Sequence, residues 1–296
     1  MNGTRSHTLS AILNRLKSHP DFEQTGIKQY RRLLDRSSAV FKLPISIQTD
    51  AISINGIDGM WLIPENHDPE RAILFTHGGG FIAGSIQSHK DLAARIAIAA
   101  KAKILVYNYR LAPEHPFPEG FEDVKTIYRW FVENTFSSHI CLAGDSAGGG
   151  LTTALLAELL RQKQQLPVCS VLLSPWVDLE CKNESHLAKD IVDPLLNTAI
   201  LKRTARLYSD RDLSHPLISP INNDFTGLTP VLIQTGGNEI LLADSRRLAK
   251  KLENKGVPVE LDIYKHMFHV WHYFAKYLSE SRKAIQKIGR FIKQWT

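Results

Sequence analysis

The stretch Gly144-Asp145-Ser146-Ala147-Gly148 constrains this chain more than any other. It follows the apolar run His139-Ile140-Cys141-Leu142-Ala143 and precedes Gly149, Gly150 and a helix-like segment from Leu151 to Leu160. That order reads as strand, sharp turn, helix, with a serine at the turn. The glycines let the backbone pack closely around a strained turn. Such a turn holds the Ser146 hydroxyl clear of the sheet, where it is free to act as a nucleophile.

A second signal lies upstream. Ala72-Ile73-Leu74-Phe75-Thr76 reads as a buried strand and runs into His77-Gly78-Gly79-Gly80-Phe81. Three successive glycines leave backbone N–H groups unshielded by side chains. Attack by Ser146 on an ester places negative charge on the carbonyl oxygen, and such donors stabilise it. The expected donors are the amides of Gly78 and Gly79, with the Ala147 N–H at the helix start as a third. Either motif alone is compatible with a glycine-rich turn. Both together, in this order and each after a strand, point to nucleophilic acyl chemistry.

A chain of 296 residues can bury a substantial core and suits one large α/β domain with a small lid. The three cysteines, Cys141, Cys169 and Cys181, suggest neither a disulfide framework nor a metal site. Met1 to Pro20 is polar, without the hydrophobic core of a secretion signal. No apolar run is long enough to cross a bilayer. These features set a reducing, cytoplasmic compartment as the expectation. The formal charge of +6 raises the question of nucleic acid. The cations are spread, however, over an early helix-like segment (Lys28, Arg31, Arg32, Arg36) and the last one (Arg282, Lys283, Lys287, Arg290, Lys293). In the last segment they interleave with Ile285, Ile288, Phe291, Ile292 and Trp295, as on an amphipathic surface helix. No zinc-finger or Walker-type pattern accompanies them.

The first helix is expected over about Phe22–Ser37. A hairpin follows, Ala51–Ile54 and Gly59–Ile63, around Asn55-Gly56 or the following loop. Strands at Ile73–Phe75, Ile104–Tyr107, Ile140–Leu142, Ser170–Leu173, Val231–Gln234 and Leu261–Ile263 then alternate with helices. Those are expected at Lys90–Ala100, Phe121–Val132, Leu151–Gln162, Leu241–Asn254 and Val270–Ile288. Short apolar strands between amphipathic helices indicate a largely parallel sheet covered on both faces. Functional loops lie beyond the carboxyl ends of such strands, where both glycine motifs fall. Two regions break the rhythm: residues 1–45 and residues 180–213. The second contains a short amphipathic helix including Leu195, Ile200 and Leu201. The two are expected to pack together as cap elements over the site.

A serine hydroxyl needs an imidazole to take its proton and an acid to orient that imidazole. There are twelve histidines, so position decides. The last strand leads into Lys265-His266-Met267-Phe268-His269-Val270-Trp271-His272. On spacing alone His266, His269 and His272 all stand near the correct sheet edge, with His269 immediately before the final helix. The acid should follow the preceding strand, which ends in Thr235-Gly236-Gly237-Asn238-Glu239. Glu239 sits in that loop. Asp244 competes from one turn into the following helix.

Taken together, these residues resemble the hormone-sensitive-lipase-like family of α/β-hydrolases, also called bacterial esterase family IV. The resemblance rests on His77–Phe81, on Tyr109-Arg110-Leu111-Ala112-Pro113-Glu114-His115-Pro116-Phe117-Pro118, and on Gly144–Gly149. It extends to Ser174-Pro175-Trp176-Val177-Asp178-Leu179 and Pro216-Leu217-Ile218-Ser219-Pro220, covering nearly the whole chain from about Ile63. It implies an α/β-hydrolase fold, with a mostly parallel central sheet, helices on both faces and a small helical cap. Ser146 matches the family's nucleophile, and Gly78, Gly79 and Ala147 match its oxyanion-hole amides. The family's base lies in a Met-x-His-x-aromatic pattern, which favours His269 through Met267-Phe268-His269-Val270-Trp271. Its acid lies in an Asp-Pro-Leu-like element, matched here by Glu239-Ile240-Leu241. Glutamate thus replaces the usual aspartate and isoleucine the proline; Asp244 is the reserve. The Asn238–Leu242 stretch is also similar to a subgroup that includes monoterpene ε-lactone hydrolases and small acyl esterases.

The resemblance implies hydrolysis of small to medium acyl esters or lactones through an acyl-enzyme, with no metal or organic cofactor. Its partner is the small-molecule substrate, with no role for nucleic acid; the oligomeric state is left open. An amidase or deacetylase would need extra provision to protonate a poorer leaving group, and no residue supplies it. A catalytically inactive small-molecule binder, like the plant gibberellin receptors that resemble this family, is the alternative of a different class. It is disfavoured by the retained serine, histidine and carboxylate.

Overall fold

Among the described residues, eight strands, numbered in chain order, form one sheet in the order β1-β2-β4-β3-β5-β6-β7-β8. A computed structural model describes residues 2–17, 21–39, 41–135, 137–184 and 193–296. The strands are β1 (Ile47–Ile54), β2 (Ile57–Pro64), β3 (Arg71–Thr76), β4 (Lys103–Tyr107), β5 (His139–Asp145), β6 (Cys169–Leu173), β7 (Val231–Gly236) and β8 (Val259–Tyr264). The first two form the expected hairpin, with Asn55 and Gly56 at positive φ in its two-residue turn. That is the twist a tight hairpin demands, and Asn-Gly supplies it at low cost. β2 runs antiparallel to β4; every pairing from β4 through β3 to β8 is parallel.

The central strands read as continuous apolar runs because both of their faces are covered. The helices are α1 (Asn2–Lys17), α2 (Phe22–Thr25), α3 (Ile27–Ser38), α4 (Ile86–Ala100), α5 (Glu119–Asn134), α6 (Ser146–Arg161), α7 (Thr198–Tyr208), α8 (Leu242–Asn254) and α9 (Ser279–Gln294). One buried cluster joins Leu74, Leu105 and Leu142 to the α5 and α6 side chains Phe121, Phe131, Leu151 and Leu155. The other joins Ile73, Phe75, Ile104 and Val171 to α4 and to Ile285, Ile288 and Ile292 of α9. Leu74 and Ile73 are neighbours in sequence yet lie in opposite clusters, as the two-residue period of a strand requires. The basic residues of α9 flank its buried stripe, and Lys287 binds Glu260 and Asp262 of β8 at 3.1 and 2.6 Å.

Three sequence expectations change. The helix expected over Phe22–Ser37 is two helices, broken at Gly26 with φ of 78°. Asp21 caps the first through the amides of Glu23 and Gln24. The final helix does not start at Val270. A 3₁₀ turn (Trp271–Phe274) intervenes and α9 begins at Ser279, so His272 sits in the turn rather than in α9. In the second irregular region the helix starts at Thr198, leaving Leu195 in the segment before it. Residues 185–192 of that region, and residues 1, 18–20 and 40 of the first, lie outside the described residues. Helix α1 has no counterpart among the helices expected from sequence. Its half-buried Leu9, Ile12, Leu13 and Leu16 stripe packs, as Leu195 does, against the buried cluster of Met267, Phe268 and Trp271.

Candidate active site

β5 ends at Asp145 and α6 begins at once with Ser146. Ser146 has φ of 52°, a left-handed conformation uncommon for a residue with a side chain. The close approach that permits this turn is visible at Gly148. A Cβ there would strike the backbone oxygens of Thr76 and His77. The Ser146 carbonyl accepts the Trp176 N–H at 3.0 Å, which ties the turn to the segment after β6.

His269 approaches from beyond β8. Its Nε2 lies 2.9 Å from Ser146 Oγ. Its Nδ1 faces Glu239 Oε1 at 3.5 Å, longer than the 2.6–3.2 Å of a tight hydrogen bond. The glutamate is held by its other oxygen. Oε2 accepts the Ser174 hydroxyl at 2.8 Å and the Gly236 N–H at 2.7 Å. Burial lowers the proton affinity of His269, but the hydrogen bond and charge of Glu239, with Asp193 and Asp145, outweigh it. The net result is a pKa raised above that of an ordinary histidine. An imidazole so placed can take the Ser146 proton and remain charged while a tetrahedral intermediate forms.

The competitors are elsewhere. His266 is exposed. His272 is buried with Nε2 3.0 Å from Gln234 Oε1, and burial pushes its pKa down to about 3, so it stays neutral. Asp244 accepts the amides of Val177 and Asp178, each at 3.0 Å, and the Asn183 side chain. It fastens the segment after β6 and does not meet the imidazole. Burial raises its pKa to about 7.

The glycine loop corrects one expectation. The Gly78 N–H donates to Asp145 Oδ1 at 3.0 Å and is not available to a substrate oxygen. Gly78 is absent from the pocket wall, which Gly79 and Gly80 line instead. Both have positive φ, 114° and 64°. Their amides meet no acceptor among the described residues. The Ala147 N–H lies in the first turn of α6, where helical geometry leaves amides without intrahelical partners. Gly79 and Gly80 thus hold the place on the cavity wall that the sequence led us to expect for Gly78 and Gly79. His77 braces the loop: its Nδ1 faces the Gly78 carbonyl at 2.8 Å and its ring stacks on Tyr109 at 4.3 Å. Burial and the neighbouring His89 lower its pKa to about 3.

A cavity of about 250 Å³ opens over Ser146. Its walls come from Leu16 of α1, Phe22 of α2, Tyr30 and Leu34 of α3, and Leu195, Leu196, Ile200 and Leu201 in and before α7. Gly79, Gly80, His89, Trp176, His269 and Tyr273 are also among its lining residues. Sequence reasoning missed Gly80, Ser174, Asp193 and Tyr273. Gly80 and Ser174 lay inside motifs already singled out. Nothing in the local pattern marks Asp193 or Tyr273.

The family model for the alpha/beta hydrolase fold matches residues 73–273. This chain belongs to the α/β-hydrolase family. It is 40% identical over 249 residues to an acetyl-hydrolase of Streptomyces hygroscopicus, covering 83% of each chain. It is 31% identical to an esterase of Acinetobacter venetianus over 88% of this chain and 87% of that one. A crystal structure of an esterase from the bacterial hormone-sensitive lipase family superimposes with a TM-score of 0.92 at 35% identity, covering 97% of this chain and 98% of that one. These findings make the protein a hormone-sensitive-lipase-like serine hydrolase of the esterase type, with a helical cap region. Among the described residues, no helix is long and apolar enough to cross a membrane.

Proposed function

We propose that this hydrolase cleaves small to medium acyl esters, lactones included, through an acyl-enzyme on Ser146. The observation that carries the reading is His269 Nε2 at 2.9 Å from Ser146 Oγ, inside a cavity walled mainly by apolar side chains. His269 takes the Ser146 proton as Oγ attacks the ester carbonyl. Glu239 orients the imidazole and stabilises its charged form. The amides of Gly79, Gly80 and Ala147 receive the oxyanion. His269 then protonates the departing alkoxide, and the ester C–O bond breaks. Water, deprotonated by His269, attacks the acyl-enzyme; collapse returns the proton to Ser146 and releases the acid. In a lactone the departing alkoxide stays tethered, and the product is a hydroxy acid.

In this reading the described residues within about 1–45 and 180–213 form the cap of one α/β-hydrolase domain. The cavity volume falls at the small end for ligand pockets, which supports short and medium acyl groups over long ones. The name of the Streptomyces relative, an acetyl-hydrolase, agrees with a short acyl group.

A serine-reactive phosphonate followed by mass mapping tests the assignment. The adduct is expected on Ser146, and Ser146→Ala should lose both adduct and turnover. Residual catalysis of about 10³–10⁴ over water is what binding and oxyanion stabilisation alone leave in a serine protease. An adduct confined to another serine overturns the reading. Strong preference for dispersed long-chain triglycerides overturns the substrate class.

A further inference from the structure

Asp193 stands in the second irregular region, far in sequence from Ser146, Glu239 and His269. Its Oδ2 accepts the Ile240 N–H at 3.0 Å, the amide directly after Glu239. Its Oδ1 accepts the amides of Leu195 and Leu196 at 2.8 and 3.1 Å, and both of these leucines line the cavity. One carboxylate therefore joins the cavity wall before α7 to the loop that carries Glu239. That loop needs an anchor. Glu239 is gripped through Oε2, while the oxygen facing His269 is 3.5 Å away, so small shifts of the Glu239–Ile240 backbone decide how well it meets the imidazole.

We infer that Asp193 is a positioning residue for the reaction, fixing the Glu239–Ile240 loop and adding a second negative charge behind the His269 imidazolium. The inference rests on the reading that His269 is the base. The charged and titratable groups bearing on His269 are Glu239 and Asp193, Asp145 at the end of β5, and His272 from the 3₁₀ turn. Burial drives the Asp193 carboxyl upward, while His269 and the Leu195 and Ile240 amides pull it back. The cap region thereby contributes to the chemistry as well as to the cavity wall.

The sign is fixed. Free-enzyme His269 must be neutral to act as base, so the acid limb of kcat/KM reports its pKa. Taking away a nearby negative charge weakens the imidazolium and moves that limb to lower pH. The test compares Asp193→Asn, Asp193→Glu and Asp193→Ala against the parent over the full pH range, with a soluble short-chain ester. Asp193→Asn removes the charge and keeps one acceptor, for Ile240 or for Leu195 and Leu196 but not for both. Its acid limb should fall by at least about 1 unit, the scale a unit charge roughly 12 Å away exerts at an effective dielectric constant near 20. Asp193→Glu should keep the limb at the parental pH. Asp193→Ala also loses the loop anchor and should lower kcat roughly tenfold, equivalent to about 1.4 kcal/mol, with KM little changed. A limb unmoved in Asp193→Asn, or moved upward, overturns the inference, and this holds even where Asp193→Ala fails to fold. Ser146→Ala and His269→Ala, run beside them, separate the two claims. If either retains parental turnover, the reading of the site fails. If both are inactive and only the Asp193 profiles stay parental, the positioning role alone fails.

Discussion

At Glu239 and Asp244, five residues apart, the same chemical group is put to two different uses. Glu239 faces an imidazole; Asp244 faces backbone amides and Asn183. Glu239→Gln should lower kcat by roughly 10²–10⁴-fold, the upper end being the loss when the orienting carboxylate of a serine protease becomes an amide. Asp244→Asn should stay within severalfold of the parent in ester turnover, and the paired kinetics check both. Asp244 has its own signature in stability. Its folded pKa of about 7 exceeds the unfolded value of 3.8, so the folded state binds the proton more tightly. The resulting stabilisation is full below about pH 4 and is lost as pH rises through about 7. Denaturant titrations across that range should show the slope in the parent and its absence in Asp244→Asn. A parent whose stability is flat over this interval contradicts a raised pKa for the buried Asp244.

At the scale of elements, the glycine loop and α7 form one mechanical unit. A Cβ on Gly80 would meet Thr204 Cγ2 of α7 at 2.9 Å. The neighbouring Phe81 stacks on Tyr208 of the same helix at 3.9 Å. Gly80→Ala must therefore both hold φ of 64° with a side chain and push α7 away. It should cut kcat at least tenfold by displacing the Gly79 and Gly80 amides. Adding Thr204→Ser removes the obstructing methyl while keeping the hydroxyl that donates to Ile200. The double variant should recover part of the loss in kcat, and equal rates for the single and double variants would remove α7 from the account. The strands and helices that shape this unit were largely legible in the sequence, because apolar runs, amphipathic periods and Asn-Gly are local signals. Gly26 was legible as a glycine but not as a break. Its effect depends on the φ of 78° that the packed chain imposes there. The choice among Gly78, Gly79 and Gly80 was not local either. It turns on Asp145, which lies 67 residues away and takes the first amide.

For the molecule as a whole, the wall over Ser146 is built largely from apolar side chains of α1–α3 and α7, outside the motifs. The serine, the histidine and the acid loop could be found from motifs because their residue types are tied to a reaction. The cavity wall could be found only as two segments expected to cap the site, with Leu195, Ile200 and Leu201 among them, and without Leu16 of the unexpected α1. Leu16, Phe22, Tyr30, Leu34, Ile200 and Leu201 are ordinary apolar residues, brought over Ser146 only when α1–α3 and α7 pack on the sheet. The α1 stripe of Leu9, Ile12, Leu13 and Leu16 is periodic, but a short helix is stable only once its apolar face finds the cluster of Met267, Phe268 and Trp271. The wall should therefore be tunable without touching catalysis. Leu34→Trp adds a ring to a cavity of about 250 Å³ and leaves Ser146, His269 and Glu239 in place. Acetyl ester hydrolysis should remain within about twofold of the parent, while kcat/KM for hexanoyl esters falls at least tenfold. Closing an apolar pocket to a methylene is worth about 1–3 kcal/mol in discrimination, which spans that ratio. The check is a series of esters of one alcohol, from acetate to octanoate, with melting temperatures measured beside the rates. Equal losses at every chain length would mean that Leu34 supports the fold and not the acyl wall, and an unchanged profile would place the acyl chain elsewhere in the cavity.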